Sequence, residues 1–338
     1  SGLSWTRVVF EETGATYDYP PLLAIMLRPL ATLSIDRAHQ VWYVINALCI
    51  LGSVALYASA RRWNLNQVAA ICVTMIVAFR FWPSVMTFGL GQSNFLLLLA
   101  LCGVYWADSR AKWRSLAAWI VFGALIKQWM LGLALYLVLR RAWRALFWCG
   151  AFYAASLAGL FLLVGWQELG MFIKLTRGYA SQDMGMMIVS QSIAGFANLH
   201  ILGRSHVQPI LPYPVLAKAF IAGASGLIIL SLAYVAWTRE PRSEQDSQLS
   251  IGLVMLAVLL LLPYCQPEYF VLCLPLLWTL LLPRHDEQLP VSWPLLVITA
   301  GIYLLFTRGG PFYRPIPEIY KTGWRALLVS LEFYAAFA

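Results

Sequence analysis

The sequence has few charged residues: Asp, Glu, Lys and Arg together make up only 12% of its 338 positions. Soluble domains carry about 25% charged residues, and they cannot bury a composition that is 61% hydrophobic. The apolar runs are continuous rather than alternating, which excludes a transmembrane β-barrel and favours membrane helices. The sequence therefore predicts an all-α, polytopic transmembrane helical bundle.

The sequence also lacks the common catalytic and metal-binding motifs. No phosphate-binding loop, GxSxG turn or HExxH sequence is present. No pair of the six cysteines has CxxC spacing, and a Cys265–Cys273 disulfide does not suit helical geometry. The four histidines are scattered. We therefore expect a reaction that needs no metal and no other cofactor.

No signal peptide is visible, because residues 1–20 contain no continuous apolar segment. The chain begins with Ser1 rather than Met, so we expect a further segment, such as a first membrane helix, to precede it. No internal repeat is visible. We predict one integral membrane domain, with residues 1–37 forming an extracytoplasmic loop and interfacial helix and residues 38–338 forming the transmembrane bundle.

The net charge of +9 is gathered in short basic clusters between the apolar runs. This is the positive-inside pattern of membrane proteins, and it argues against a nucleic-acid partner. We assign the clusters to the cytoplasmic side of a multi-pass membrane protein. They lie at Arg61–Arg62, 110–114, 140–144, 239–242 and Arg284.

Two apolar segments are unsuited to a single crossing, which takes about 20 residues. The run at 21–35 is short and is interrupted by Pro29, so we interpret it as a helix lying at the outer interface. The segment between Arg114 and Arg140 has basic residues at both ends. The sequence therefore predicts two short helices that meet near Lys127 on the extracytoplasmic side.

The polar residues that suit chemistry gather in the predicted outer segments. Ionisable groups at membrane depth are costly, so each is a candidate for a functional site. These candidates are Glu11, Glu12, Asp18, Gln92, Asn94, Lys127, Lys174, Arg177, Asp183, Gln191, Glu268 and Arg308.

Each candidate also has a purely structural interpretation. Asp18 would stabilise a helix N-terminus, and Asn94 or its neighbour Ser93 would cap the helix that starts there. Lys127 would extend to the lipid headgroups instead of binding a phosphate. Lys174 and Arg177, one helical turn apart, would either clamp an anion or meet lipid phosphates.

Three motifs follow one another along residues 16–146, and two looser ones follow later. The first three are Tyr17-Asp18-Tyr19-Pro20-Pro21-Leu22, then Gly91-Gln92-Ser93-Asn94, then Ile126-Lys127 ahead of Arg140-Arg141-Ala142-Trp143-Arg144. The later ones are Ser190-Gln191-Ser192 and the stretch from Leu262 to Tyr269. In this order they resemble glycosyltransferase family 87, which comprises bacterial membrane mannosyl- and arabinosyltransferases of the GT-C class.

The resemblance implies a glycosyltransferase of the bacterial inner (plasma) membrane with its active site facing the periplasm or exterior. The donor would be a polyprenyl-phosphate sugar of the mannose or arabinose type, and the acceptor a lipid or cell-envelope glycan. Transfer would invert the anomeric centre and use no metal. The sequence departs from the family at Gln128, where proline is usual, and at Glu268 and Tyr269, where Trp and His are frequent.

The resemblance also assigns roles to residues of this sequence. A carboxylate of the first outer loop, Asp18 or Glu12, is expected to act as the catalytic base, and Gln92, Asn94 and Lys127 are expected to belong to the site. From their place in the outer segments we further expect Glu268 to be a catalytic candidate on the acceptor side, and the other substrate-binding residues to be Tyr17, Tyr19, Lys174, Arg177, Gln191 and Tyr269.

Other functions remain open at this point. A transporter or flippase of lipid-linked intermediates would place charged residues through the membrane to both faces, and would often show internal repeats. A non-catalytic subunit of an envelope complex would lack the catalytic acid. A glycan ligase would need a long outer loop with paired His and Arg residues, which the sequence does not offer.

Overall fold

The computed structural model describes residues 19–62, 76, 78, 80–181, 190–202, 213–238 and 244–281. Every regular element in these ranges is helical, which confirms the predicted all-α membrane fold. Glu12, Tyr17 and Asp18 lie outside the described residues, and so does the side chain of Arg177. Residues 282–338, the last part of the predicted transmembrane bundle, also lie outside them.

The helices differ widely in length, from 4 to 39 residues. The α-helices are α1 (Pro21–Leu27), α2 (Ile35–Ala60), α3 (Trp82–Gly89), α4 (Asn94–Asp108), α5 (Trp113–Ile126), α6 (Ala134–Leu139), α7 (Trp143–Ser181, interrupted at Gly165), α8 (Ile193–Phe196), α9 (Pro214–Thr238), α10 (Glu244–Leu261) and α11 (Leu274–Leu281). Arg28–Thr32, Gln128–Leu133 and Pro267–Cys273 are 3₁₀ helices, and Ala197–Ile201 is a π-helical turn.

Within the described residues, three helices are long and apolar enough to cross a membrane. They cover Ile35–Ala60, Trp143–Gln167 and Pro214–Val235. The last two bury only 11% and 6% of their most apolar window against the rest of the protein. Apolar surface of this extent needs an apolar solvent, so these helices face lipid.

Helix α4 is the centre of the bundle. Thirteen of its fifteen residues are buried, and it packs against α2, α5 and the 3₁₀ helix Pro267–Cys273. Its approach to α5 depends on Gly103, because a Cβ atom there would lie 2.2 Å from the indole of Trp119. A side chain at this position would therefore push the two helices apart.

The two ends of α4 lie in different chemical environments. At its C-terminal end, Asp108 pairs with Arg140 at 3.0 Å. Nearby, Arg110 bonds Ser59 at 2.9 Å, and Arg61 bonds Gln248 at 2.9 Å. The predicted basic clusters at 61–62, 110–114 and 140–144 thus come together at one end of the bundle. The N-terminal end begins with Asn94, about 22 Å away at the rise of an α-helix.

The predicted short helices are confirmed. Helix α1 has only seven residues and passes into a 3₁₀ helix at Arg28, where Pro29 interrupts it. Helix α5 ends at Ile126, and Lys127 takes an extended conformation with φ −138° and ψ 112°. A 3₁₀ helix and α6 then return the chain to the basic end.

At the basic end of the bundle, helices α4 and α6 each end with a non-glycine residue whose backbone is in the left-handed conformation. Ala111 has φ 51° and closes α4, while Arg141 has φ 53° and closes α6. Each is followed by the long backbone bond of a Schellman motif, from Lys112 to Ala107 at 2.9 Å and from Ala142 to Leu137 at 2.8 Å. A Cβ atom is strained in this conformation, so these turns cost free energy.

Ala111→Gly is expected to stabilise the protein by up to about 1 kcal/mol, because glycine removes the strain of the left-handed conformation. Thermal unfolding of the detergent-solubilised protein would measure the change. The matched control is Ala155→Gly in the exposed part of helix α7, which should destabilise by about 0.5–1 kcal/mol. Equal destabilisation by both substitutions would contradict the backbone strain that we assign to Ala111.

Candidate active site

A buried lysine lies at the end of the bundle opposite the basic clusters. The side chain of Lys127 is 6% exposed, and its Nζ atom donates a hydrogen bond of 2.9 Å to Oδ1 of Asn94. The break between α5 and the following 3₁₀ helix turns this residue inward. Lys127 therefore does not extend to lipid headgroups, and that alternative is wrong.

Two tyrosine rings complete the surroundings of the ammonium group. The Nζ atom lies 4.0 Å from the ring centroid of Tyr269 and 5.1 Å from that of Tyr19. Aromatic faces attract cations at these distances, most strongly where water is excluded. We call Lys127, Asn94, Tyr19 and Tyr269 the lysine cage. It surrounds the amino group of Lys127 without a direct ion pair among the described residues.

The turn before α4 brings Gln92 and Asn94 to the cage. Gly91 has φ 62° and closes α3 in a Schellman motif, in which the N–H of Gln92 bonds the carbonyl of Thr87 at 3.0 Å. Nε1 of Trp42 donates to the carbonyl of Gly91 at 2.8 Å and fixes this turn to α2. The side chain of Gln92 then accepts a hydrogen bond from the Tyr19 hydroxyl.

Asn94 connects the cage to the segment that carries Glu268. Its Nδ2 atom bonds the backbone carbonyl of Glu268 and the hydroxyl of Thr87, each at 3.3 Å. Ser93 is the N-cap of α4, yet neither it nor Asn94 makes a side-chain capping bond. The capping interpretation is therefore wrong, because Asn94 uses its amide for Lys127 and Glu268.

Glu268 is fully buried at the start of the 3₁₀ helix Pro267–Cys273. Among the described residues, neither of its carboxylate oxygens has a hydrogen-bond partner. A buried carboxylate without partners is costly, and such groups concentrate at functional sites. The loop before it is held by Gln191, whose N–H bonds the carbonyl of Cys265 at 2.7 Å.

Lys127 and Glu268 influence each other electrostatically, and both lie outside the three long apolar helices. Burial lowers the pKa of the Lys127 ammonium, and the nearby charge of Glu268 raises it in return. Burial raises the pKa of Glu268, while Lys127 acts to lower it. Each residue therefore favours the charged form of the other in a poorly solvated place.

An apolar groove lies between α1 and α2, next to the cage. Its volume is about 390 Å³, and Tyr19 forms part of its wall. The remaining lining residues come from the segment 21–32, the first turns of α2 and the turn before α4. They are Leu23, Leu27, Leu30, Ala31, Ala38, His39, Trp42, Gly91 and Ser93.

Of the candidate residues that lie within the described part of the chain, the structure brings most together. These are Tyr19, Gln92, Asn94, Lys127, Gln191, Glu268 and Tyr269. Lys174 is exposed on α7 and makes no hydrogen bond or ion pair to these residues. The roles proposed for Lys174, Arg177, Tyr17, Asp18 and Glu12 stay predictions.

Two residues of the site were not predicted. Trp42 lies in the second turn of α2, at the helix end opposite the basic clusters, where interfacial Trp residues are expected, so its position was a usable signal. Thr87 bonds both Asn94 and the carbonyl of Glu268, the latter at 3.4 Å. Nothing in its local sequence indicates this role, because it depends on α3 packing against a segment 180 positions later.

The comparisons with known proteins agree with the motifs. Residues 17–263 match the model of glycosyltransferase family 87. This match covers more than half of the chain, so the protein belongs to glycosyltransferase family 87. No match was found among curated proteins or among solved structures. The family makes the protein a membrane glycosyltransferase.

Asn94→Ala should destabilise the protein by about 1–3 kcal/mol, because the buried Lys127 ammonium loses its hydrogen-bond acceptor. Thermal or denaturant unfolding in detergent would measure this. Asn46→Ala is the matched control: Asn46 is also buried, but its amide bonds only the carbonyl of Trp42 one turn away. The two substitutions should differ by about 1 kcal/mol or more, and equal losses would contradict the importance of the Lys127–Asn94 bond.

Proposed function

We propose that this protein transfers a sugar of the mannose or arabinose type from a polyprenyl-phosphate donor to a lipid or cell-envelope glycan. The reaction takes place at the extracytoplasmic face of the bacterial inner membrane, inverts the anomeric carbon and needs no metal. The observation that carries this proposal is the buried Lys127 ammonium, whose neighbour Tyr19 also forms part of the wall of an apolar groove.

The groove and the cage together suit a lipid with an anionic headgroup. The polyprenyl chain occupies the groove beside α1, where Leu23, Leu27 and Leu30 offer apolar contacts. Its phosphate then lies close to the cage, within reach of the positive charge of Lys127. We assign the binding of the sugar or the phosphate to Gln92, Asn94, Gln191, Tyr269 and the cations Lys174 and Arg177.

The chemistry requires a base, a leaving group and electrostatic stabilisation. A carboxylate, Asp18 or Glu12, removes the proton from the acceptor hydroxyl. At the same time the oxygen of the acceptor bonds the anomeric carbon of the sugar. The bond between that carbon and the phosphate oxygen breaks, and polyprenyl phosphate leaves with the electron pair. Lys127 stabilises the negative charge that develops on the phosphate. Glu268 orients the acceptor by accepting a hydrogen bond from it.

Lys127→Ala should reduce transfer by about 100-fold, because it removes preorganised charge stabilisation from a water-poor site. Transfer of radiolabelled sugar from a polyprenyl-phosphate donor to membrane acceptors would measure the rate. Lys112→Ala is the matched control, since Lys112 is an exposed lysine beside Trp106 at the basic end. Undiminished transfer by Lys127→Ala would remove the role assigned to this residue.

Ala38→Phe fills the groove and should raise the KM for long-chain donors at least about fivefold, because it removes about 1 kcal/mol or more of apolar contact. The KM for a donor with a single isoprene unit should change much less. Ala55→Phe, on the exposed side of the same helix, is the control and should change neither value. An equal rise in KM for both donors would mean that the polyprenyl chain does not bind in this groove.

A further inference from the structure

The start of helix α4 lies next to both the groove and the lysine cage. Ser93, the residue before the helix, forms part of the groove wall, and so does Gly91. The following residue, Asn94, accepts the hydrogen bond of 2.9 Å from Lys127. Like Tyr19, the start of this helix therefore adjoins the apolar groove on one side and the cationic side chain on the other.

This end of α4 has backbone donors and no anionic side chain of its own. The first bond of the helix runs from the N–H of Leu96 to the carbonyl of Ser93 at 3.0 Å. The N–H groups of Asn94 and Phe95 precede it and have no partner within the helix. No acidic residue lies in the first turn, and no side chain caps it. Because the helix dipole gives this end a partial positive charge, it favours an anion.

The hydroxyl of Ser93 is a second, independent sign of a ligand. Ser93 is 1% exposed, and its Oγ atom has no hydrogen-bond partner among the described residues. A buried hydroxyl without a partner costs free energy, and such groups are uncommon in folded proteins. Since Ser93 forms part of the groove wall, a polar ligand atom in the groove would supply the missing partner.

We propose that the N-terminus of α4 and the hydroxyl of Ser93 bind the phosphate of the lipid donor, beside Lys127. This rests on the proposed function, which supplies a polyprenyl-phosphate donor. Ser93 donates a hydrogen bond to a phosphate oxygen, and the first N–H groups of the helix face the same charge. The chain attached to the phosphate contacts the apolar side chains of the groove wall. The ligand is thus a phosphate that carries an apolar chain.

Binding of farnesyl phosphate to the detergent-solubilised protein tests this site without sugar transfer. Ser93→Ala removes the hydroxyl donor and should raise the dissociation constant about tenfold, the effect of one hydrogen bond to a charged group. The midpoint of thermal unfolding without ligand should not fall, because the lost hydroxyl had no partner in the protein. A lower midpoint would show that the hydroxyl has a structural role and would overturn the proposal.

Ser84→Ala is the matched control for this substitution. Ser84 is also buried, and its hydroxyl also lacks a partner among the described residues, but it lies in α3 outside the wall of the groove. The affinity of this variant for farnesyl phosphate should equal that of the unmodified protein. An equal loss of affinity in both variants would overturn the assignment to Ser93.

Two further ligands separate the phosphate from the chain. Farnesol should bind the unmodified protein and Ser93→Ala alike, since it has no phosphate. Inorganic phosphate should compete with farnesyl phosphate only at concentrations at least about 100-fold higher, because it has no apolar chain. Equal weakening of farnesol binding by Ser93→Ala would overturn the phosphate contact. Inorganic phosphate that binds as tightly as farnesyl phosphate would overturn the lipid as the ligand.

The results also distinguish this site from the proposed function. If Ser93→Ala weakens the binding of farnesyl phosphate while the unmodified protein transfers no sugar, the phosphate site is supported and the proposed function fails. If the unmodified protein transfers sugar, and Ser93→Ala has the same donor KM and the same affinity for farnesyl phosphate, the proposed function is supported and the phosphate site is overturned.

Discussion

The buried Lys127 side chain is the constraint on which the half of this protein opposite the basic clusters depends. An ammonium group loses its hydration when it is buried, and the protein must replace those interactions. Here one amide oxygen, two aromatic faces and a nearby carboxylate do so. These partners come from separate segments of the chain, so the lysine also fixes how those segments meet. The break after α5 is what brings the ammonium to this point.

The two ends of the bundle differ in how far their buried carboxylates are hydrogen-bonded. At the basic end, Asp108 receives bonds from Arg140, Tyr136 and Ser247, so this buried carboxylate is satisfied. At the other end, Glu268 is also buried, but its carboxylate has no hydrogen-bond partner among the described residues. A satisfied network stabilises a structure, whereas an unsatisfied buried carboxylate is retained at a cost. The contrast between Asp108 and Glu268 therefore favours a structural role for one end and a functional role for the other.

The sequence predicted the parts of this arrangement that follow from local rules. Apolar run length and the spacing of arginines placed the helix break at Lys127, because both depend only on positions along the chain. The cage itself could not be derived in this way. The contact between Tyr19 and Lys127 joins residues more than 100 positions apart, and Thr87 has no local feature that marks it. The alternatives of capping for Asn94 and of lipid contact for Lys127 failed because tertiary packing gave both side chains stronger partners.

The charge of the site also bears on the choice of donor. A polyprenyl-phosphate sugar is a phosphodiester with one negative charge, and one buried ammonium matches it. A nucleotide-diphosphate sugar carries two negative charges and a polar base, and it usually needs a metal ion or several cations. Within the part of the chain that the structure describes, the lysine cage supplies one cation, and the groove beside it is lined mainly by apolar side chains. In the proposed reaction the phosphate gains a second charge as the sugar departs while Lys127 is already in place, so Lys127 contributes more to the transition state than to the bound donor.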